Sequence, residues 1–358
     1  MRIREIVFRD FRSFRGEKRI SFVDPLTDTV RPMTVIAGTN GSGKTTILDS
    51  IEALLKLVMG SEEKLIHEAM QSGLIWLELE LFAPDRLHTA NAIPSESQHI
   101  LAGRGDLVSA KLRENGLTMV LARYSGSVNV PLVTPFLVEE LYDAVTKMYE
   151  DESKLYGGLL YLPYDRQMGV AKGGPIQQPP PPKGPASLWI TRLSPSDYWE
   201  GGLEQFWVWQ NYLDLERGER RANLGRFVST VERILGEGRP ITVRDGRVTV
   251  PVAWKQNGNT HLVRLDQLPS GEQQVLLLFG ELARRRRPGA VIAIDEPEKS
   301  LHPSLQRLVV HQLRRIAQEW DAQVILATHS LEILRSVHES EIIFLDQLAE
   351  PEAERVAS

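Results

Sequence analysis

The sequence predicts an α/β fold: a mixed sheet, an N-terminal antiparallel β layer and a small helical lobe. Three observations support this prediction. A glycine-rich segment at 38–46 separates an apolar run from an amphipathic stretch. Two further apolar runs, 291–296 and 324–328, end in polar residues, and residues 1–23 alternate between apolar and charged side chains. Short apolar runs are typical of buried parallel strands, whereas alternation is typical of a half-exposed strand.

Composition restricts the classes of protein to consider. The 358 residues allow one elaborate domain or two smaller ones, and 42% hydrophobic with 25% charged residues is ordinary for a globular protein. There is no run of eighteen apolar residues and no signal peptide, so we expect a cytoplasmic protein. The absence of cysteine excludes disulfides, thiolate metal sites and cysteine nucleophiles. The net charge of −5 argues against a uniformly basic nucleic-acid-coating protein, but leaves room for a local basic surface.

The segment 38–46, Gly-Thr-Asn-Gly-Ser-Gly-Lys-Thr-Thr, matches the phosphate-binding pattern Gly-x4-Gly-Lys-Ser/Thr without a mismatch. Its glycines allow successive backbone N–H groups to point into one hollow at a helix N-terminus, where an anion is favoured. We expect Lys44 to reach the β- and γ-phosphates and Thr45 to ligate Mg²⁺. A predicted strand at 33–37 and a helix at 46–58 give the motif its required setting. The other predicted nucleotide contacts are Asn40, Gly41, Ser42, Gly43 and Thr46.

The first half of the chain contains several further elements. The hairpin signal Asn115-Gly116 predicts two strands, near 107–113 and 117–124, within an antiparallel β insertion at about 83–130. The other predictions are a hairpin at 1–23 bent around Gly16, a half-buried strand at 74–82, a mobile loop at 84–105, a helix near 135–150 and a buried strand at 158–162.

The second half begins with a proline-rich stretch. Four consecutive prolines within 171–187 predict an exposed linker or flap that is neither helix nor central strand, with a proline-motif docking site as the alternative. Residues 196–236 predict aromatic helices, whose rings form either a lobe core or a partner surface. Two turn signals divide 241–265 into a three-stranded meander. The predicted units are 1–170, 171–187, 188–240 and 241–358.

Two buried strands carry candidate catalytic groups at their carboxyl ends. One ends in Asp295, which we expect to hold the water shell of Mg²⁺, and is followed by Glu296, which we expect to polarise the attacking water as general base. The other delivers His329 to the same edge, where it can hydrogen-bond the γ-phosphate or the attacking water. The alternative is a helix-capping segment in which Ser330 is the important residue.

Residues 268–274, Leu-Pro-Ser-Gly-Glu-Gln-Gln, precede a predicted apolar helix at 275–283. Ser270 has the character of an N-cap, and Gly271 allows close backbone approach. The segment is therefore either a simple helix start or a second anion site, offered to the γ-phosphate of another molecule.

Three further polar features are candidate parts of a site, and two of them have an alternative structural interpretation. The basic side chains of 1–23 form either a solvated strand face or a basic surface in which Arg12 and Ser13 approach the nucleotide. Residues 163–167, which include Gln167, follow a strand at the edge where open α/β sheets bind ligands. The run of four arginines at 284–287 either offsets a helix dipole or contacts a nucleic-acid backbone or an acidic partner.

In order and spacing, these motifs resemble those of the ABC-type ATPase heads of the RecF, SMC and OLD group. The resemblance rests on FRSF near the start, GTNGSGKTT, LPSGEQQ, DEPEKSLHP at 295–303 and THS at 328–330. It covers about 1–60 and 262–345. The Glu-Pro-Glu-x-x-Leu-His-Pro form looks most like the stand-alone prokaryotic ATPases of this group, many of which belong to phage-defence or DNA-maintenance systems.

The resemblance implies a P-loop NTPase fold of ABC type that hydrolyses ATP with Mg²⁺. It implies an ATP-dependent homodimer, in which each ATP lies between one protomer's phosphate loop and the other's Ser270, Gly271 and Glu272. Gln167 is the candidate for the glutamine that couples Mg²⁺ to the lobe interface. The output would be engagement of DNA or RNA, or control of a separately encoded effector protein, in DNA repair or antiviral defence and without a membrane.

The chain departs from the group in three ways. SMC-type proteins insert a long coiled coil where this chain has only the helical lobe, and OLD-type nucleases append a cleavage domain. The signature has one glycine fewer than the transporter form and carries Pro269. We therefore expect a head without its own effector. The alternatives are the energy-coupling subunit of a membrane transporter and a module that binds ATP without hydrolysing it.

Overall fold

The computed structural model describes residues 1–61, 63–80, 97–115, 120–125, 145–147, 155–167, 177–181, 184–193, 202–236, 239–253 and 260–346. The strands are β1 Arg2–Phe11, β2 Phe14–Ser21, β3 Val23–Asp24, β4 Thr29–Val30, β5 Met33–Ala37, β6 Leu74–Glu80, β7 Ser97–Arg104, β8 Val120–Ser125, β9 Leu159–Leu162, β10 Ile190–Arg192, β11 Thr242–Arg244, β12 Arg247–Ala253, β13 Thr260–Arg264, β14 Val291–Asp295, β15 Gln323–Thr328 and β16 Ile342–Phe344. The helices are α1 Lys44–Val58, α2 Lys64–Ser72, α3 Gly105–Asn115, α4 Pro185–Trp189, α5 Leu203–Glu216, α6 Ala222–Leu235, α7 Ser270–Arg284, α8 Pro303–Glu319 and α9 Leu331–Leu334, with 3₁₀ turns at Leu265–Gln267 and Glu339–Glu341.

A six-stranded parallel sheet forms the centre of the fold, in the order β10-β9-β14-β15-β5-β16. Its four inner strands, β9, β14, β15 and β5, are buried along their whole length because both faces are covered. Val291 and Ala293 pack in the cluster that contains α1 and the N-terminal β layer, whereas Ile292 and Ile294 pack with α7 and α8. The predicted strands at 33–37, 158–162, 291–296 and 324–328 are confirmed, as is the predicted α/β class.

The sheet order brings the predicted motifs to one edge. β15 lies between β14 and β5 with parallel register, so the segments that follow these three strands leave the sheet side by side. The glycine-rich segment follows β5, Asp295 closes β14, and His329 follows β15. Ligands of open α/β sheets bind outside the carboxyl ends of the strands, so this edge is where a site is expected.

The N-terminal β layer has the strand order β2-β1-β6-β7-β8. The predicted hairpin is confirmed, but its predicted bend at Gly16 is wrong. Phe11 pairs with Phe14, so the turn falls on the two residues between them, and Arg12 has a φ of 51°. Gly16 lies inside β2 with a φ of 63°, and its N–H donates to Asp10 at 2.9 Å. The hydrogen bond to the Asp10 carboxylate therefore satisfies the Gly16 N–H within the strand, and the chain does not reverse there.

Two predictions in the insertion are wrong. The mobile loop at 84–105 contains β7 in its described part, and the strand at 107–113 lies in α3. That helix buries Val108 and Leu112, one turn apart, with Leu74 and Trp76 of β6, and this tertiary contact overrides the local hairpin signal. β7 and β8 pair in parallel, because a helix rather than a tight turn connects them.

The helical lobe and the meander agree with the sequence. α5 and α6 lie within 196–236, Trp207 is fully buried in the lobe, and Phe206 meets Phe227 edge to face. β11, β12 and β13 form the predicted meander. The prediction that 171–187 excludes helix is wrong, since α4 begins at Pro185, where a first-turn proline is tolerated.

Some predictions fall outside the part of the chain that the structure describes. Of the predicted helix near 135–150, only 145–147 are described, and they are helical. Residues 81–96, 168–176 and 182–183 also lie outside the described ranges. Among the helices that are described, none combines the length and the apolar character that crossing a bilayer requires.

Candidate functional site

The loop after β5 forms a cradle of backbone amides. Gly41 and Gly43 adopt left-handed φ values of 84° and 103°, which favour glycine, and the Ser42 N–H donates to the Thr39 carbonyl at 3.2 Å. Helix α1 begins immediately afterwards, and its first intrahelical bond runs from the Ile47 N–H to the Gly43 carbonyl at 3.0 Å. The amides of the residues before Ile47 have no intrahelical acceptor, so this helix start can hold an anion.

Lys44 is folded into the same loop. Its Nζ donates to the carbonyls of Gly38 and Thr39 at 2.7 and 2.8 Å, and the residue is 7% exposed. Asn40 is exposed at the rim. The ammonium therefore lies inside the cradle, where it can transfer from carbonyl oxygens to phosphate oxygens.

Thr45 and Asp295 join the loop to the acidic strand. The Thr45 hydroxyl donates to the Asp295 carboxylate at 2.7 Å. Asp295 is 1% exposed, and burial raises the pKa of its carboxyl to about 6, with Glu296 and Asp49 adding to the shift and the bond from Thr45 opposing it. A desolvated carboxylate beside a hydroxyl suits a hard cation that prefers oxygen ligands.

The donor set fits Mg²⁺ in particular. Among the described residues, no group of three His, Cys, Asp or Glu side chains is arranged to enclose a metal ion. A cation at Thr45 and Asp295 would therefore take its other ligands from phosphate and water, as Mg²⁺ does in nucleotide sites.

Glu296, Glu298 and His329 form an acid–imidazole cluster next to Asp295. The His329 Nδ1 lies 3.8 Å from the nearer Glu296 carboxylate oxygen and 3.4 Å from that of Glu298. Glu298 is 8% exposed and accepts from the Thr328 hydroxyl at 2.6 Å and from the His329 N–H at 3.1 Å. Glu296 and His329 stay open to solvent, with side chains 36% and 50% exposed, so both are accessible to a ligand.

Ser330 has the capping role that the sequence left open. Its hydroxyl accepts from the Ile333 N–H at 3.4 Å at the start of α9 and donates to Gln306 at 2.5 Å. This role does not displace His329, which precedes it at the exposed edge. The capping reading is therefore confirmed, and the role of His329 stays a prediction.

The signature segment lies at the exposed start of α7. Ser270 is exposed and is the first helical residue, so the prediction that it is the N-cap is wrong; Pro269 takes that position with an extended ψ of 142°. A Cβ on Gly271 would lie 2.9 Å from the Ser300 carbonyl oxygen, so only glycine fits there. Glu272 forms a bidentate ion pair with Arg239 of the same chain, with N–O distances of 2.8 and 2.6 Å.

The structure brings only some of the remaining candidates to the loop. A Cβ on Gly43 would lie 2.6 Å from the Ser13 hydroxyl, so Ser13 contacts the cradle. Arg12 instead pairs with Glu68 at 3.1 and 2.8 Å. Gln167 is exposed beyond the carboxyl end of β9, the neighbour of β14.

Three residues that bear on the site were not identified from the sequence. Arg166 is 1% exposed, and its guanidinium donates to the carbonyls of Pro163, Asp295 and Glu296. Glu298 holds the His329 segment, as described above. Asp346 accepts from the Thr39 N–H and hydroxyl at 2.9 and 3.0 Å. In the sequence, these three residues are visible only as charged side chains close to the ends of strands. That position does not show which of them become buried.

The run of four arginines has packing roles. Arg287 is 1% exposed and donates to the carbonyls of Leu159, Leu188 and Trp189. Arg284 and Arg285 pair with Glu281, and Arg286 lies over the Trp320 ring. These contacts join the end of α7 to its surroundings, a packing role distinct from the two interpretations of the run made from the sequence.

Comparison with known families matches both ends of the chain. A family model described as "AAA domain" matches residues 5–62, and one described as "AAA domain, putative AbiEii toxin, Type IV TA system" matches residues 187–335. The first contains the phosphate loop, and the second contains the signature, the acidic strand and His329. The matches therefore cover the same two regions that carry the motifs.

Known proteins with similar sequences or folds include ATPases. The "Retron Vc95 probable ATPase" of Vibrio cholerae serotype O1 biovar El Tor is 20% identical over 411 aligned positions, which cover 97% of this chain and 74% of that protein. The "Phosphonates import ATP-binding protein PhnC" of Lactobacillus johnsonii is 33% identical over 72 residues, which are 20% of this chain and 27% of that protein. The SMC head domain from Thermotoga maritima aligns with a TM-score of 0.43 and 14% identity, over 94% of this chain and 92% of that one.

The phosphate loop, the acidic strand and the two AAA-domain matches together support a P-loop ATPase. The predicted enzyme class is thereby confirmed.

Proposed function

We propose that this chain is an ATP-driven switch, in which two heads close on two ATP molecules and open again after hydrolysis. The observation that supports it most is the convergence of Lys44, Asp295, Glu296 and His329 at one solvent-open edge. The signature start at Ser270 is also exposed, and its neighbour packs on the Ser300 carbonyl of its own chain. It is therefore available to a nucleotide held by another protomer.

Each group at the edge has a chemical role in this proposal. The loop amides and Lys44 hold the β- and γ-phosphates of ATP. Thr45 and Asp295 hold Mg²⁺, which neutralises charge on the phosphate oxygens when bound. Glu296 accepts the proton of the water that attacks the γ-phosphorus, while the bond to the β–γ bridging oxygen breaks. His329, within 4 Å of Glu296, orients the water or the γ-phosphate.

Closure follows from the shared γ-phosphate. It contacts the loop of one protomer and the α7 start of the other, so its release removes contacts from both. Two exposed apolar side chains at the same edge favour burial on closure: Leu331, 65% exposed next to the His329 segment, and Tyr164, 50% exposed near Gln167.

A groove provides a candidate output surface. It has a volume of about 900 Å³, and the residues that line it include Arg192, Arg284, Arg285, Arg286, the prolines 179–181 and Trp209. Arg287 borders the groove but is 1% exposed and donates to backbone carbonyls, so it is not part of the proposed ligand surface. None of the described residues that line it is Asp or Glu, although Glu281 nearby pairs with two of the arginines. This lining suits an acidic ligand, either DNA or RNA or an acidic segment of a separate effector.

The groove is also connected to the phosphate-loop helix. Arg192 donates to Asp49 of α1 at 2.9 Å, and the Tyr161 hydroxyl donates to the same carboxylate at 3.0 Å. A ligand that draws Arg192 away would alter contacts on α1. Binding of labelled single-stranded DNA, RNA and an acidic peptide to the wild type and to Arg286→Glu tests this surface. We expect one of the three to bind and the variant to weaken it; equal binding by the variant contradicts the assignment.

The relative named as a retron ATPase supports a role in defence or DNA maintenance, with the cytoplasm as the place of action. That role is part of the proposal. It predicts that deletion of the gene, or the Lys44→Ala variant, changes phage resistance or recovery from DNA damage.

Glu296→Gln tests the switch. The amide cannot accept the proton, so kcat should fall by about 10²–10⁴-fold while ATP still binds and the closed dimer accumulates. Phosphate release, ATP titration and light-scattering mass measure these three effects. Lys44→Ala is the control, which should neither bind ATP nor dimerise. A monomer of Glu296→Gln with ATP bound contradicts the switch, and undiminished turnover contradicts the role of Glu296.

A second candidate is an energy-coupling subunit of a membrane transporter. The local match to a phosphonate-import ATP-binding protein favours it. This candidate predicts co-purification with a membrane protein from native cells and an ATPase rate that rises when that protein is added. The switch predicts a soluble dimer whose turnover is independent of membranes.

A further inference from the structure

A buried arginine connects two strand ends directly beneath the candidate site. The Arg166 guanidinium donates to the Asp295 carbonyl at 2.6 Å, the Glu296 carbonyl at 2.8 Å and the Pro163 carbonyl at 3.0 Å. It therefore ties the turn after β9 to the point where β14 ends. Asp295, Glu298 and Glu296 provide the negative charge that partly compensates its burial.

The backbone at Glu296 needs such support. Its φ of 48° lies in the left-handed region, which an L-residue with a long side chain rarely adopts and which costs about 1 kcal/mol. The Glu296 N–H stays in the sheet through the Ala327 carbonyl at 2.9 Å. The Glu296 carbonyl accepts from Arg166 and from the Lys299 N–H at 3.1 Å instead of from a neighbouring strand, so the chain leaves the sheet at this residue.

A second contact fixes the same turn. Lys299 Nζ donates to the Tyr164 carbonyl at 2.7 Å, so the segment after β14 and the turn after β9 are joined at two places. Gln167 follows Arg166 directly and is exposed. Arg166 and Lys299 thus join the Glu296 segment to the turn that directly precedes Gln167.

We infer that Arg166 is a positioning residue that holds the Glu296 backbone in the left-handed conformation and thereby presents its carboxylate to the attacking water. The inference rests on the proposed role of Glu296 as general base. Arg166 itself does not contact ATP in this arrangement; it acts through Glu296. A fork of parallel N–H donors is required to reach two successive carbonyls, which the single ammonium of lysine cannot reproduce.

The molecule contains a matched control. Arg287 is equally buried, at 1% exposure, and also donates to three backbone carbonyls, but at the amino end of the same sheet. Arg166→Lys and Arg287→Lys remove the same kind of fork at the same burial. A merely structural role of Arg166 predicts the same behaviour for both variants.

We expect both variants to melt at lower temperature than the wild type, but only Arg166→Lys to lose turnover. Misplacement of a reacting group by about 1 Å costs roughly 10²-fold, so its kcat should fall by about 10- to 100-fold with the ATP dissociation constant unchanged. Arg166→Lys combined with Glu296→Gln should turn over no more slowly than Glu296→Gln alone, because both act through one carboxylate. All assays are run well below the lower melting temperature.

The outcomes separate the two proposals. Equal kcat for Arg166→Lys and Arg287→Lys, or fully additive losses in the double variant, overturns the positioning role while leaving the base intact. Normal turnover by Glu296→Gln instead overturns the proposed function. If Arg166→Lys does not fold, Lys299→Met loosens the same turn from its exposed side. Its kcat should fall several-fold with unchanged ATP affinity, and an unchanged kcat contradicts the inference.

Discussion

At the amino end of the parallel sheet, Arg287 binds the carbonyls around β9 and α4, and burial lowers its pKa to about 9. At the carboxyl end, Arg166 binds carbonyls in the same way, but its pKa is lowered only to about 10 because four carboxylates oppose the effect of burial. At the amino end, the buried charge is thus held by hydrogen bonds within the chain. The carboxyl end gathers buried carboxylate charge whose natural complement is a cation and a nucleotide.

In this sheet, the amino end therefore contributes mainly to stability, and the carboxyl end contains the candidate site. Local rules are satisfied where they serve folding and are violated where they serve a site. The carboxyl end contains a left-handed Glu296, a desolvated Asp295 and a lysine folded onto its own loop. Substitutions at the two ends should therefore differ in whether they weaken ATP binding or lower the free energy of unfolding.

The largest expected effects are those of Lys44→Met on ATP affinity and of Arg287→Met on stability. Lys44→Met loses charged hydrogen bonds to phosphate worth about 1.5–3 kcal/mol each, so ATP affinity should fall by more than about 100-fold with little change in melting temperature. Arg287→Met leaves three carbonyls without donors, so the free energy of unfolding should drop by about 3–5 kcal/mol with ATP affinity unchanged. Calorimetric ATP titration and urea unfolding measure both. A large loss of stability in Lys44→Met, or a large loss of ATP affinity in Arg287→Met, contradicts this difference between the two ends of the sheet.

Asp295→Asn should stabilise the nucleotide-free protein while abolishing turnover. The folded pKa of about 6 exceeds the ordinary value of 3.8, so the stability associated with the neutral carboxyl is present below pH 4 and lost as pH rises through 6. The variant should therefore gain as much as about 3 kcal/mol at pH 8 and nothing at pH 4. Urea unfolding at both pH values measures this. A variant that is less stable than the wild type at pH 8 contradicts the picture.

Glu298→Ala should have an intermediate effect. It leaves the Thr328 hydroxyl and the His329 N–H without their buried acceptor, which costs about 1–3 kcal/mol of stability. The imidazole also loses its neighbour at 3.4 Å, so kcat should fall more than ATP affinity. Steady-state kinetics and thermal melts test this; a loss of affinity without a loss of kcat argues against Glu298 orienting His329.

Glu68→Gln should have the smallest effect. The Arg12–Glu68 pair is partly exposed, so its loss should cost less than about 1 kcal/mol. Arg12 lowers the pKa of Glu68, so the difference from wild type should be present at pH 7 and disappear as pH falls below 4.5. If Arg12 approaches the nucleotide after leaving Glu68, the variant should also bind ATP slightly more tightly. Unchanged ATP affinity indicates that Arg12 stays at the hairpin turn.

The sequence predicted those parts of the fold that depend on local pattern. The phosphate loop, the acidic strand and the strand before His329 follow from short apolar runs with polar ends. It failed where tertiary contacts decide: α3 forms in place of a hairpin because Val108 and Leu112 are buried with Trp76. The N-terminal turn lies between Phe11 and Phe14 rather than at Gly16, whose N–H donates to Asp10.

The candidate site shows the same division. Thr45 and Asp295 are distant in sequence but were paired correctly, since each follows or ends a parallel strand. Arg166 and Glu298 act through burial, and burial of a single charged residue has no periodic signature. Arg12 and Glu272 looked free in the sequence but are paired with Glu68 and Arg239, which only the folded chain reveals.

In the proposed dimer, each ATP lies between the loop of one protomer and the signature of the other. A mixture of two inactive variants should therefore regain turnover. Lys44→Ala disables the loop. Ser270→Glu disables the signature through charge repulsion, while a carboxylate at the helix start keeps α7 stable. Equal amounts of the two should recover up to about half of wild-type turnover, because neither variant closes on ATP by itself and each mixed dimer has one intact site of two. Turnover of the mixture that stays at the sum of the two separate variants contradicts the claim.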